Sequence, residues 1–132
     1  LASKCLSKQV GAVIVKDGRI LSTGYNGTPA GYINCSEHWK DEYTKDHHEW
    51  SKTYEIHAEM NAIIWAARKG ISIEGGTIYV TLEPCSECSK NLIASGIKRI
   101  VYEKAYEHTN SEIISKFLED NGVKIEQIPA IS

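Results

Sequence analysis

From Thr77 onward the chain alternates short β-branched runs with helix-forming stretches. That alternation restricts the fold more than any other feature of the sequence. Thr77-Ile78-Tyr79-Val80-Thr81-Leu82 reads as a strand, and Pro84 ends it. Cys85 to Ser95 reads as a helix closed by Gly96, and Ile97 to Tyr102 as the next strand. Thr109-Asn110-Ser111-Glu112 resembles a capping box that opens a helix over Glu112 to Asp120. A last strand is predicted over Val123 to Ile128. Strands alternating with helices imply a layered α/β sheet with helices on its faces.

The first half supplies two further elements. Val10 to Val15 and Arg19 to Thr23 are β-rich runs around Asp17-Gly18, the signature of a hairpin. His57 to Lys69, with Ala, Met, Ile and Trp dominating, is a strong helix with Gly70 as C-cap. It is apolar on most of its circumference and is expected inside the fold. Between them, residues 24–31 (GYNGTPAG) are turn-rich and are expected to be neither helix nor regular strand. Residues 32–54 form a long polar loop, a length that in a compact domain points to function or internal pinning.

With 132 residues, one domain spanning 1–132 is expected. The chain carries 15 Lys+Arg against 17 Asp+Glu, and this balance argues against a general nucleic-acid binder. No apolar run reaches the ~18 residues of a membrane span. No secretory leader is recognised, and a cytoplasmic location is expected. The four cysteines then read as free thiols or metal ligands rather than disulfides.

Two of those cysteines lie in the motif that carries chemistry. His57-Ala58-Glu59 opens one predicted helix, and Pro84-Cys85-Ser86-Glu87-Cys88 opens the next. A catalytic zinc takes three nitrogen or thiolate ligands and keeps one position open, and His57, Cys85 and Cys88 supply that set. Helix N-termini favour thiolates there. Glu59, two residues from the histidine, can face a water at the metal without being a ligand, as a proton shuttle does. A thioredoxin-like redox pair would leave the His-x-Glu without a place. A closed structural zinc would need a fourth ligand and leave Glu59 idle.

His-x-Glu followed by Pro-Cys-x-x-Cys is the known signature of zinc-dependent nucleobase deaminases. The chain resembles the zinc-dependent cytidine deaminase superfamily, and within it the deoxycytidylate (dCMP) deaminases of bacteriophage type. The resemblance runs from about Ser3 to Ile128. It is carried by VGAVIV at 10–15, GYNGTPAG at 24–31, EIHAEMNAI at 55–63, YVTLEPCSEC at 79–88 and SGIKRIVY with Tyr106 after it. GYNGxPxG separates this family from the free-nucleoside and tRNA-adenosine deaminases. Enzymes acting on free cytidine usually have Cys where His57 stands.

The resemblance implies a three-layer α/β/α fold with a mixed five-stranded sheet, and a homo-oligomer, commonly a hexamer. A helix normally precedes the first strand, and Leu1 to Lys8 looks like its end. The implied reaction is hydrolytic deamination of dCMP to dUMP and ammonia, supplying dUMP for thymidylate synthesis. Zinc on His57, Cys85 and Cys88 lowers the pKa of water toward ~7, and Glu59 shuttles protons. Asn26 matches a sugar contact, or else satisfies its own turn. Tyr106 matches an aromatic packed on the pyrimidine, or is simply a buried tyrosine. The backbone around Ala58 and Pro84 matches the part that reads the base edge.

Phage-type members carry a second, structural zinc, and Cys5, Cys35, His47 and Glu55 match its ligands. His38 or His48 could stand in for His47, and the two cysteines could instead be small buried hydrophobes. His108 could edge the pocket. Lys4 and Lys8, just before the first strand, could contact the phosphate or simply solvate a surface face. Activation by dCTP with Mg²⁺ and inhibition by dTTP are also family implications. Gly24, Gly27 and Gly31 would bring backbone close to such an effector. Arg68 would link it to subunit contacts, or be a solvated helix-end cation. A tRNA or polynucleotide deaminase and a non-catalytic zinc-binding regulatory paralogue are the competing readings.

Overall fold

The computed structural model describes residues 10–27, 56–105 and 111–129. Strand β1 (Gly11–Lys16) turns through Asp17 and Gly18 into β2 (Arg19–Tyr25). Both turn residues have positive φ, +52° and +75°, which gives the two-residue hairpin turn that Asp-Gly favours. Helix α1 (Ala58–Arg68) follows, then β3 (Thr77–Leu82), α2 (Ser86–Ala94), β4 (Arg99–Lys104), α3 (Ser111–Asp120) and β5 (Lys124–Gln127). The sheet order is β2-β1-β3-β4-β5. β1 runs antiparallel to both β2 and β3, whereas β3, β4 and β5 are mutually parallel. The sheet is therefore mixed and five-stranded, as expected.

Strand alternation sorts the side chains into two faces. Ala12, Ile14, Ile78, Val80 and Ile100 share one face and form a single buried cluster with helix residues Ala58, Ala62, Ala66, Leu92, Ile114 and Leu118. All three described helices thus cover the same side of the sheet. Neighbours Val13, Tyr79 and Val101 point the other way, into a groove of about 410 Å³ that also includes Thr23 and Thr81. No described helix covers that side.

Three expectations are corrected. Gly24 and Tyr25 complete β2 rather than starting a turn, because α1 packs onto the strand there. A Cβ on Gly24 would lie 2.6 Å from the Ala62 nitrogen and overlap the Ala58 carbonyl oxygen, so only glycine lets strand and helix come this close. Helix α1 is not enclosed on all sides: its small residues face the sheet, while Ile64 (38% exposed) and Trp65 (45%) face outward. Arg68 and Lys69 lie over the Trp65 ring, at 5.9 and 4.7 Å from its centroid. Strand β4 begins at Arg99, two residues later than expected. Gly96, at φ +92°, closes α2, and Ile97 turns inward as a fully buried core residue before pairing begins.

No helix among the described residues is long and apolar enough to cross a membrane.

Candidate active site

The two helix N-termini anticipated from the sequence meet in space. His57 is the N-cap of α1 and Cys85 the N-cap of α2. Cys88 is in the first turn of α2 and nearly fully buried. His57 Nδ1 lies 3.2 Å from Cys88 Sγ and 3.7 Å from Cys85 Sγ. The three ligand atoms all fall within 4.8 Å of one another, and among the described residues they are the only such group.

That spacing fits zinc. With bonds of about 2.0 Å to nitrogen and 2.3 Å to sulfur, a tetrahedron has N···S edges of roughly 3.5 Å. The donor chemistry agrees. The Cys88 thiol donates to Cys85 and holds the Cys85 thiol down to about 3, against the opposing effect of burial. The same hydrogen bond, with burial, pushes Cys88 well above the ordinary thiol range. The two sulfurs and the imidazole nitrogen lie within 4.8 Å of one another, and a divalent cation bound to them would take the place of the thiol protons.

Glu59 lies in the first turn of α1 and is buried, 4% exposed. Burial raises its carboxyl above the usual carboxylate range; its own backbone N–H, His57 and the Cys88 thiol work in the opposite direction. Its field is felt at Cys88 and it feels both His57 and Cys85, so it stands beside the cluster. The carboxylate is not one of the three ligands.

Ala58 and Pro84 flank the ligands and are buried. Asn26 sits just past β2 and is 8% exposed. Its side-chain oxygen accepts from the Val10 N–H at 3.0 Å, and its backbone N–H donates to the Val10 carbonyl at 3.2 Å. Gly27 and Ile56 exchange backbone hydrogen bonds of 3.1 and 2.7 Å, which ties this segment to the residue before His57. Arg68 is at the far end of α1, exposed and stacked on Trp65. Tyr106, Gly31, Cys5, Cys35, His47 and Glu55 lie outside the described residues, as do His38, His48, His108, Lys4 and Lys8.

Sequence reasoning missed the fastenings around the cluster. Asn61 Nδ2 donates to the Tyr25 carbonyl at 2.5 Å, and Ser22 Oγ to the Ala62 carbonyl at 2.7 Å. The four-residue step from His57 to Asn61 was a legible signal, since it puts both on one helix face. It also missed Glu83, a carboxylate only 3% exposed at the end of β3. Glu83 sits close enough to Tyr102 to raise that phenol, after the larger effect of burial.

Comparison with known proteins agrees with this geometry. The family model for the cytidine and deoxycytidylate deaminase zinc-binding region matches residues 1–104. Deoxycytidylate deaminase of Enterobacteria phage T2 is 41% identical over 163 residues, covering 98% of this chain and 86% of that protein. The crystal structure of dCMP deaminase from cyanophage S-TIM5 in complex with dCMP and dUMP matches with TM-score 0.77 at 34% identity. That match covers 96% of this chain and 85% of the other. A tRNA:A34 deaminase structure shares the fold alone, with TM-score 0.58 at 21% identity, covering 90% of this chain and 82% of that one. The chain belongs to the zinc-binding cytidine and deoxycytidylate deaminase family.

Proposed function

We propose that this chain is a dCMP deaminase that converts dCMP and water to dUMP and ammonia. One observation carries the reading: a His57/Cys85/Cys88 cluster with the buried Glu59 beside it, in a chain 41% identical to the phage T2 enzyme over nearly its whole length. His57, Cys85 and Cys88 would hold the zinc, which would supply a Lewis acid able to bring the pKa of water to about 7. Glu59 takes a proton from the attacking water and gives it to N3 of the cytosine as the C4–O bond forms. It then carries a second proton, from the new C4 hydroxyl, to the 4-amino group. The C4–N bond breaks, ammonia leaves and the C4 carbonyl of uracil remains.

Further parts of the reading rest on the family resemblance. Asn26 contacts the deoxyribose, Ala58 and Pro84 present backbone to the base edge, and Tyr106 packs on the ring. Cys5, Cys35, His47 and Glu55 hold a second zinc, so metal analysis should find about two zinc per chain, and about one after Cys35→Ala. A single zinc in the parent chain overturns the second site. A dCTP–Mg²⁺ complex activates and dTTP inhibits a homohexamer through Gly24, Gly27, Gly31 and Arg68. A hyperbolic dCMP curve unaltered by either nucleotide overturns that regulation.

The deciding measurement is ammonia release from dCMP, cytidine and a tRNA anticodon stem. Turnover of dCMP is expected. Turnover only on RNA would make the chain a polynucleotide deaminase, and none on any substrate would favour a non-catalytic zinc module. Glu59→Gln should lower turnover by about 10²–10⁴ while zinc stays bound. Equal turnover in that variant removes the shuttle role.

A further inference from the structure

The edge of β2 and the zinc-ligand helix α1 are fastened at successive points. Ser22 Oγ donates to the Ala62 carbonyl, and Gly24 abuts the backbone of Ala58 and Ala62. Beyond the strand, Gly27 pairs with Ile56. Between these points stands Asn61, whose Nδ2 donates to the Tyr25 carbonyl at 2.5 Å. It is also one helical turn from His57, to whose carbonyl its own backbone N–H donates at 2.9 Å.

The bond to Tyr25 matters because of what shares that peptide. The Tyr25 carbonyl and the Asn26 N–H belong to one planar unit. Asn61 holds the carbonyl end and the Val10 carbonyl holds the N–H end, at 3.2 Å. A peptide plane pinned at both ends cannot rotate, so the backbone direction into Asn26 is fixed. The Asn26 amide is then oriented by its oxygen, which accepts from the Val10 N–H at 3.0 Å. If the bond from Asn61 is lost, the plane has one anchor. Ser22, Gly24 and Gly27 still hold strand and helix together on either side.

We propose that Asn61 is a positioning residue, which by pinning the Tyr25–Asn26 peptide to the zinc-ligand helix sets where Asn26 meets the sugar of the nucleotide. This rests on the dCMP deaminase reading and on Asn26 as its sugar contact. Because the bond acts on binding rather than on the reacting atoms, its loss should appear in KM and spare kcat.

Steady-state kinetics on dCMP, with zinc content and melting temperature measured alongside, test this in the full-length protein. Asn61→Ala should raise KM roughly tenfold, the size of one lost hydrogen bond, with kcat within about twofold. Asn61→Asp keeps the shape without the donor and should do no better. Asn61→Gln keeps the donor and should recover part of the loss. In an Asn26→Ala background, Asn61→Ala should add nothing, because both changes act on one contact. A KM in Asn61→Ala within about twofold of the parent overturns the proposal, as do losses that multiply with those of Asn26→Ala. A fall in kcat that tracks zinc loss overturns it as well. If Asn26→Ala leaves KM unchanged, the sugar assignment fails and takes the proposal with it. If the parent does not turn over dCMP at all, the deaminase reading itself fails.

Discussion

The two helix N-termini that meet at the metal cluster are built on different principles. At α2 the ligand is also the cap: Cys85 Sγ accepts from the Cys88 N–H at 3.4 Å, so one sulfur both closes the helix and faces the cluster. Two ligands three residues apart are therefore placed by local chain geometry. At α1 the N-cap residue His57 makes no side-chain cap bond. Its ring is held against the sulfurs by the way α1 lies on β2, through Gly24, Ser22, Asn61 and the Gly27–Ile56 pair. One half of the site is encoded within four residues. The other half depends on segments more than thirty positions apart, such as Gly24 and Ala58.

The largest effect tests what the two halves share. His57→Ala and Cys88→Ala should each remove the bound zinc and abolish dCMP turnover, since an open catalytic site has no ligand to spare. Zinc retained at parental affinity in either variant would contradict the three-ligand site. The next effect breaks the tertiary half alone. Gly24→Ala places a Cβ against the Ala58 and Ala62 backbone, which cannot yield as a side-chain tip would. It should cost about 1–3 kcal/mol in denaturant unfolding and weaken zinc binding through the misplaced His57. A neutral Gly24→Ala would show that α1 can lift away without disturbing the cluster.

The smallest effect sharpens the contrast in capping, and it is read in metal-free protein so that coordination does not mask it. Cys85→Ala should cost about 1 kcal/mol of stability, the typical value of a lost N-cap, whereas Cys85→Ser retains a capping oxygen and should cost less. His57→Ala removes the ring's contacts with the two sulfurs but no cap bond, and should cost less metal-free stability than Cys85→Ala. Equal costs at the two caps would erase the distinction.

Much of this was legible in the chain. The order of elements, the Asp-Gly hairpin and the placement of His57, Cys85 and Cys88 at helix starts all rest on local rules of turn and cap chemistry. Glu59 was legible instead from its place in the His-x-Glu motif, two residues after His57. The boundaries read less well where a neighbour decided them. The GYNG segment looks like a turn because of its glycines, yet Gly24 is in a strand: its missing Cβ serves helix approach, a need visible only once α1 is in place. The apolar circumference of α1 likewise suggested full burial, but the helix rests on a single sheet face and leaves Ile64 and Trp65 outward.

By itself, the sequence determined the strand–helix alternation, which depends on residue type and short spacing, while the candidate zinc ligands His57, Cys85 and Cys88 and the carboxylate of Glu59 were legible through their match to a known motif. Tertiary structure alone decided that the two helix starts converge to within 3.2–3.7 Å at the ligand atoms. It alone decided that all three described helices share one side of the sheet, and that Asn61 reaches across to the Tyr25 carbonyl. Convergence depends on strand order, and β1 lies between β2 and β3 only because the hairpin packs antiparallel onto β3, a pairing of distant segments that no local pattern specifies.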